Sequence, residues 1–104
     1  MSVFSIRLKQ ARLEAGLSQE KLGVLAGIEE ATASARMNQY ERGRHLPEFS
    51  TVERLAKVLN VSEAYFFSKD DDVAEFLKLI HRAPQADREA ALEAAGQVLL
   101  GSKQ

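Results

Sequence analysis

The chain has 104 residues, of which 45% are hydrophobic, and it carries a formal net charge of −1. This length fits one compact domain, or one small domain with an appendage, and the charge does not by itself indicate a polyanionic partner. The absence of cysteine excludes disulfides and thiolate metal sites. No apolar run approaches the ~20 residues of a membrane span and no secretory leader is recognisable, so a soluble cytoplasmic protein is expected.

Three short helices are predicted in the first 43 residues, from apolar positions spaced three or four apart and from the glycines that follow them. Gly16, Gly27 and Gly43 mark the helix ends, because glycine readily adopts the left-handed conformation found there. Ser18 is the predicted N-cap of the second helix, and the third helix is expected over residues 30–42. The positions predicted to face inward are Phe4, Leu8, Ala11, Ala15, Leu22, Leu25, Ala26, Ala33, Met37 and Tyr40.

Two further helices complete a predicted bundle. Ser50-Thr51-Val52-Glu53 has the pattern of a capping box. Asn60 suits a left-handed stop, and Ser62 is expected to cap a short helix that ends in Tyr65-Phe66-Phe67. The inward positions of the fourth helix are predicted to be Val52, Leu55, Ala56 and Leu59. Because turn residues and periodicity agree, an all-α five-helix bundle is the expected fold.

The chain after Ser68 is predicted to form two further helices beyond the five-helix bundle. Asp70-Asp71-Asp72 is an anionic helix start and lacks the ligand spacing of a calcium loop. Pro84 separates this helix from a last one over residues 86–100. The segment resembles a helical hairpin that either pairs with a second copy or packs on its own bundle. Its apolar positions are Val73, Phe76, Leu77, Ile80, Ala91, Leu92, Ala95, Val98 and Leu99.

The outer face of the third helix has the side chains that suit base recognition. Its outward and flanking positions are Thr32, Ser34, Ala35, Arg36, Asn38 and Gln39. Asn and Gln can form two hydrogen bonds with adenine, Arg can do so with guanine, and Ala35 suits a thymine methyl group. An ordinary solvated helix face is the alternative interpretation. The net charge gives little indication of DNA binding, since it is +1 for residues 1–67 and −2 for residues 68–104.

The pattern from Leu17-Ser18-Gln19 through Glu41-Arg42-Gly43 to Val61-Ser62 resembles the Cro/repressor-type helix-turn-helix proteins, the XRE family. The resemblance implies a λ-repressor-like DNA-binding bundle over residues 1–68 and a C-terminal helical extension over residues 69–104. It also implies a sequence-specific transcriptional regulator, expected to be a repressor, that acts on double-stranded DNA without a cofactor. A homodimer on a two-fold operator is expected, because one small module makes few contacts. No small-molecule effector is indicated.

The same resemblance implies roles for individual residues. Arg12 and Glu41 match a structural salt bridge between the first helix and the end of the third. The positions expected to contact DNA phosphates are Ser18, Gln19, Arg42, Arg44 and His45. Phosphate contacts of this kind set affinity and register, while the third helix sets sequence preference.

Two features depart from the family pattern. Gly27 and Glu41 are fourteen positions apart, where the usual separation is about ten, so residues 28–32 form either an enlarged turn or an extra helical turn. Gly23 stands where a small alanine is usual, which permits close helix packing but lowers helix propensity by up to about 1 kcal/mol.

Two other function classes stay open at this stage. One is an antitoxin that binds DNA with this fold and neutralises a partner with its tail. The other is a bridging protein that binds transcription machinery. An enzyme is not expected, because no catalytic constellation is recognisable. His45 and His81 are the only histidines, so no metal site is expected either.

Overall fold

The computed structural model describes residues 2–101, which form six α-helices and one 3₁₀ helix and contain no β-strand. The helices are α1 (Val3–Glu14), α2 (Gln19–Leu25), α3 (Glu30–Glu41), α4 (Phe49–Leu59), the 3₁₀ helix (Glu63–Phe67), α5 (Asp71–Arg82) and α6 (Gln85–Gly101). The predicted all-α class is therefore confirmed. Residue 1 and residues 102–104, at the ends of the two predicted domains, lie outside the described residues.

The core lies between α1, α2, α3, α4 and the 3₁₀ helix. Its largest fully buried side chains include Phe66, Leu8, Leu22, Met37 and Leu55. The Phe4 and Phe66 rings lie 5.2 Å apart between centroids, which joins α1 to the 3₁₀ helix. Of the predicted inward positions in the first four helices, all are buried except two.

Those two exceptions have physical causes. Ala15 is exposed because it is the C-cap of α1, just beyond the last helical residue. Leu25 is 50% exposed because the buried side of α2 is centred on Leu22, Gly23 and Ala26. A Cβ atom at Gly23 would lie 2.9 Å from Ala33 Cβ, so the glycine lets α2 approach α3 closely.

The helix ends follow the glycine and asparagine signals. Gly16, Gly27 and Gly43 all have positive φ, and Asn60 has φ 55° and ψ 50°, the predicted left-handed stop. Ser18 is the N-cap of α2, and its hydroxyl accepts a 3.0 Å hydrogen bond from the Lys21 backbone N–H.

The predicted capping box is wrong. α4 begins at Phe49 with Glu48 as N-cap, so Ser50, which the capping-box pattern makes the N-cap, already lies within the helix. The Thr51 hydroxyl, also within the helix, accepts a hydrogen bond from Arg54. Ser62 does precede the 3₁₀ helix as predicted, but its hydroxyl makes no capping hydrogen bond within the described part of the chain.

The open question about residues 28–32 is answered by the start of α3. α2 ends at Leu25 and α3 begins at Glu30, so the additional residues extend α3 by about one turn. At 12 residues, α3 is about 18 Å long. Its N-terminal end carries Glu29 as N-cap and Glu30 in the first turn, where carboxylates interact favourably with the helix dipole.

Charged side chains of α5 attach it to the bundle beside the buried Ala74. Lys78 Nζ lies 2.5 Å from Glu14 Oε2, and Arg82 Nη2 lies 2.9 Å from Glu14 Oε1. Arg82 also donates to the carbonyls of Leu59 and Asn60 at the end of α4. The hydrogen bond from Lys78, followed by that from Arg82, lowers the pKa of Glu14, and the same bond raises the pKa of Lys78.

The predicted apolar stripe of α5 is only partly covered by the bundle. Val73 and Phe76 are each 46% exposed, Leu77 and Ile80 are half-buried, and Ala74 is the buried residue of this helix. α6 has no buried residue along its described length, Gln85–Gly101. The molecule is accordingly elongated, with dimensions of 56 × 27 × 22 Å. Within residues 2–101 no helix is long and apolar enough to cross a bilayer.

Candidate nucleic-acid interface

α3 presents one buried and one exposed side. Ala33, Met37, Tyr40 and Glu41 are buried against the bundle. The six predicted base-reading positions are all exposed: Thr32, Ser34, Ala35, Arg36, Asn38 and Gln39. The close approach at Gly23 holds α2 behind α3, which is the bracing arrangement of a helix-turn-helix.

A cation-lined groove runs along one side of α3; we call it the α1 groove. It has a volume of about 410 Å³ and is lined by Lys9, Arg12, Gln19, Asn38, Glu41, Arg42 and Arg44. Four of these side chains are cationic and one is anionic. The excess of positive charge is the property that phosphate binding requires.

A second groove, the α4 groove, lies on the opposite flank of α3. It has a volume of about 500 Å³ and is lined by Arg36, Gln39, Tyr40, His45, Leu46, Pro47, Glu48, Ser50, Thr51 and Arg54. Arg36 donates a 2.9 Å hydrogen bond to the Tyr40 hydroxyl. Arg54 is held by its own bond to the Ala26 carbonyl, 2.7 Å long, at the end of α2.

Arg12 and Glu41, the predicted salt-bridge pair, form a bidentate contact. Arg12 Nε lies 2.6 Å from Glu41 Oε2, and Nη2 lies 3.0 Å from Oε1. Arg12 Nη1 also donates to the Leu17 carbonyl at 2.9 Å. The two side chains are only 11% and 3% exposed. The pair therefore joins α1, the α1–α2 turn and the end of α3 through a charge-assisted bidentate contact, which is costly to break when it is largely buried.

Gln19 connects this pair to the outer face of α3. Its Nε2 donates to Glu41 Oε1 at 3.2 Å and lies 3.5 Å from Asn38 Oδ1. The structure thus brings Gln19, Asn38, Arg42 and Arg44 together in the α1 groove.

The other predicted site residues are distributed differently. Arg36, Gln39 and His45 line the α4 groove. Ser34 and Ala35 are exposed on α3 and line neither groove. The hydroxyls of Ser18 and Thr32 form local bonds, to the Lys21 N–H and the Glu29 carbonyl respectively.

The sequence interpretation missed two cations of the grooves, Lys9 and Arg54. Lys9 precedes Arg12 by three residues on α1, and residues so spaced lie on the same helix face. Because the family resemblance places Arg12 against Glu41 at the end of α3, this spacing indicates that Lys9 lies on the side of α1 that faces α3. Arg54 follows Thr51 by three residues in the same way, but its partner Ala26 lies far away in sequence.

In this bundle α2 braces an exposed α3, which lies between two cation-bearing grooves. That arrangement is characteristic of the helix-turn-helix class of DNA-binding proteins. Residues 3–65 match the helix-turn-helix domain family, and the chain belongs to that family. It is an XRE-type transcriptional regulator, a class without enzymatic activity.

Particular relatives match over nearly the whole chain. The cryptic phage CTXphi transcriptional repressor RstR of Vibrio cholerae is 27% identical over 106 residues, covering 97% of this chain and 92% of that protein. The crystal structure of the transcriptional regulator BswR is similar with a TM-score of 0.85 at 42% identity, covering 97% of this chain and 98% of that chain. Both alignments extend beyond the family match at residue 65.

Proposed function

We propose that this regulator is a sequence-specific repressor that reads the major groove of duplex DNA with α3. The observation that carries the proposal is the exposed side of α3, whose short polar side chains lie between the two grooves. A helix presented in this way fits the major groove, which exposes a distinct donor and acceptor pattern for each base pair. The Vibrio cholerae relative is a transcriptional repressor, which supports repression as the direction of regulation.

The geometry supports a division of labour within this interface. Asn38 and Gln39 are exposed amides on the outer side of α3 and are the main candidates for base contacts. Arg42 and Arg44 follow α3 and line the α1 groove, where guanidinium groups suit phosphate oxygens. Lys9 joins them from α1.

The experiment is a selection from a randomised duplex library, followed by affinity measurements on selected and scrambled duplexes. Asn38→Ala and Gln39→Ala should each cost roughly 1–3 kcal/mol on the selected site and little on scrambled DNA. Arg42→Ala and Arg44→Ala should weaken both duplexes alike and reduce the salt dependence. Lys57→Ala is the charge-matched control, because Lys57 is exposed on α4 and lines neither groove. Equal losses on both duplexes for Asn38→Ala and Gln39→Ala would refute base reading by α3.

The proposed repressor acts as a homodimer through the helices after residue 68. Val73 and Phe76 of the α5 stripe are exposed, and so are Leu92 and Val98 of α6. Pairing these surfaces about a two-fold axis would bury apolar area and hold two copies of α3 one DNA turn, ~34 Å, apart. Residues 1–68 are then the DNA-binding unit and residues 69–104 the assembly unit.

Light scattering tests this assembly in the full chain. Phe76→Glu places a charge in the exposed stripe and leaves the ion pairs of α5 intact, so it should yield a folded monomer. Phe49→Glu is the matched control, because Phe49 is an exposed apolar residue at the start of α4 and lines neither groove. A wild-type chain that is monomeric even on its selected duplex would refute the dimer and favour a different protein partner for this surface.

A further inference from the structure

Arg7 of α1 is a buried arginine, 5% exposed, that lines neither groove of the proposed DNA interface. Its Nε donates a 2.9 Å hydrogen bond to the Ser68 carbonyl, and its Nη2 donates a 3.0 Å bond to the Lys69 carbonyl. Nη1 donates to Gln10 Oε1 at 2.9 Å and lies 3.0 Å from Asp71 Oδ1. All three guanidinium nitrogens are therefore engaged, and two of them hold the backbone that joins the 3₁₀ helix to α5.

A second attachment between α1 and α5 lies two helical turns further along α1. Glu14 follows Arg7 by seven residues, so the two side chains share one face of α1, about 10.5 Å apart along its axis. The Glu14 carboxylate accepts hydrogen bonds from Lys78 and Arg82, in the last turns of α5. We call Arg7 and Glu14 the α1 clamp, because they hold the two ends of α5 against one helix.

The α1 clamp determines the direction in which α5 leaves the bundle. A helix that is held at both ends cannot pivot about either end, so the axis of α5 is fixed relative to α1. The Arg12–Glu41 pair in turn joins α1 to the end of α3. At the first attachment the Asp71 carboxylate is 92% exposed and contributes little, so the two carbonyl bonds of Arg7 are the principal contacts there. The orientation of α5 relative to α3 therefore depends on Arg7.

We propose that Arg7 is a specificity-determining residue that sets the spacing between the two half-sites of the operator. The inference rests on the proposed function, since it requires that α5 and α6 pair two copies of the chain on DNA. With α5 fixed in each copy, the dimer presents its two α3 helices at one distance and one angle. Each base pair added between the half-sites moves one of them by about 3.4 Å and turns it by about 35°. A rigid dimer cannot follow that displacement.

The test uses the full chain, the selected operator duplex, and duplexes with two base pairs inserted at or removed from its centre. The wild type should bind the altered duplexes at least about tenfold more weakly, because the second half-site no longer adds to binding. Arg7→Met keeps the buried aliphatic part of the side chain and should reduce this penalty to less than about threefold. Both proteins should bind a duplex with one half-site equally. Lys57→Met is the matched control and should keep the wild-type penalty, because Lys57 is exposed on α4 and lines neither groove.

A second variant covers the case in which Arg7→Met does not fold, which circular dichroism detects. Glu14→Gln combined with Arg82→Met releases the other end of α5 at side chains that are 42% and 34% exposed, and it should also reduce the penalty. Without DNA, ¹⁵N relaxation should give one rotational correlation time for α1 and α5 in the wild type and a shorter one for α5 in the variant. A single correlation time in the variant would overturn the inference.

The binding outcomes separate the inference from the proposed function. A wild-type penalty that persists in every variant that folds would overturn the inference, and so would a wild type that binds all spacings equally. Either result would leave base reading by α3 in place. No enriched sequence, or a chain that binds one half-site as a monomer, would overturn the proposed dimeric repressor and the inference together.

Discussion

Removing the carboxylate of Glu41 should be one of the most damaging single changes in the bundle. Glu41→Ala leaves Arg12 with two unpaired donors beside a side chain that was 3% exposed, and Gln19 with a third. Breaking a largely buried pair by removing one partner costs about 3–5 kcal/mol. For a domain of this size that corresponds to a melting temperature lower by at least ~12 °C. Circular dichroism at 222 nm, recorded without DNA, measures the change.

Two variants test the reasoning behind this magnitude. Glu53→Ala removes an exposed carboxylate from α4 that forms no ion pair within the described residues, so its melting temperature should match the wild type. Arg12→Met combined with Glu41→Leu should recover part of the loss, because an apolar pair leaves no uncompensated charge. A Glu41→Ala protein that melts like the wild type but binds no DNA would refute the structural role of the pair.

Three further changes have defined outcomes. Lys9→Ala should weaken binding to all duplexes and reduce the salt slope by about one; an unchanged slope in anisotropy titrations would remove Lys9 from the interface. Gly23→Ala should lower the melting temperature, although it gains about 1 kcal/mol of helix propensity, because the new Cβ would lie 2.9 Å from Ala33 Cβ; a more stable variant would mean that α2 and α3 separate easily. The pKa of Glu14 is lowered by its hydrogen bond from Lys78, so the stabilisation is present at neutral pH and is lost as the pH falls below about 4.5. Glu14→Gln should therefore be less stable than wild type at pH 7, by up to about 1 kcal/mol per ion pair, and the difference should shrink as the pH falls from 4.5 through the lowered pKa of Glu14; a difference that does not change with pH would contradict the assignment.

Local signals in the sequence were sufficient for most of the bundle. Gly16, Gly27, Gly43 and Asn60 end helices where predicted, because a positive φ is a property of single residues and needs no tertiary context. The buried stripe of α3 was also predictable, since Ala33 and its inward neighbours follow helical periodicity. That periodicity was enough to place the outer face and its six candidate reading positions.

Features that depend on the meeting of distant segments were not predictable in this way. Gly23 carries no apolar side chain, so hydropathy shifted the predicted inner face of α2 toward Leu25. The side of α5 that packs on the bundle carries Lys78 and Arg82, whose partner Glu14 is more than sixty residues away. The sequence therefore did not predict that Val73 and Phe76 of the α5 stripe are exposed while Leu77 and Ile80 are half-buried.

The exposure of α6 has a consequence for how this chain folds. An isolated helix is marginal in water near 12–15 residues, and α6, with 17 residues and none of them buried, gains little from the bundle. In the proposed homodimer the partner covers the apolar side of α6, so that order in this segment and assembly would arise together. Dilution would then lower the ellipticity of the chain well before the bundle unfolds, and backbone amides of α6 would exchange with solvent at rates set by protein concentration.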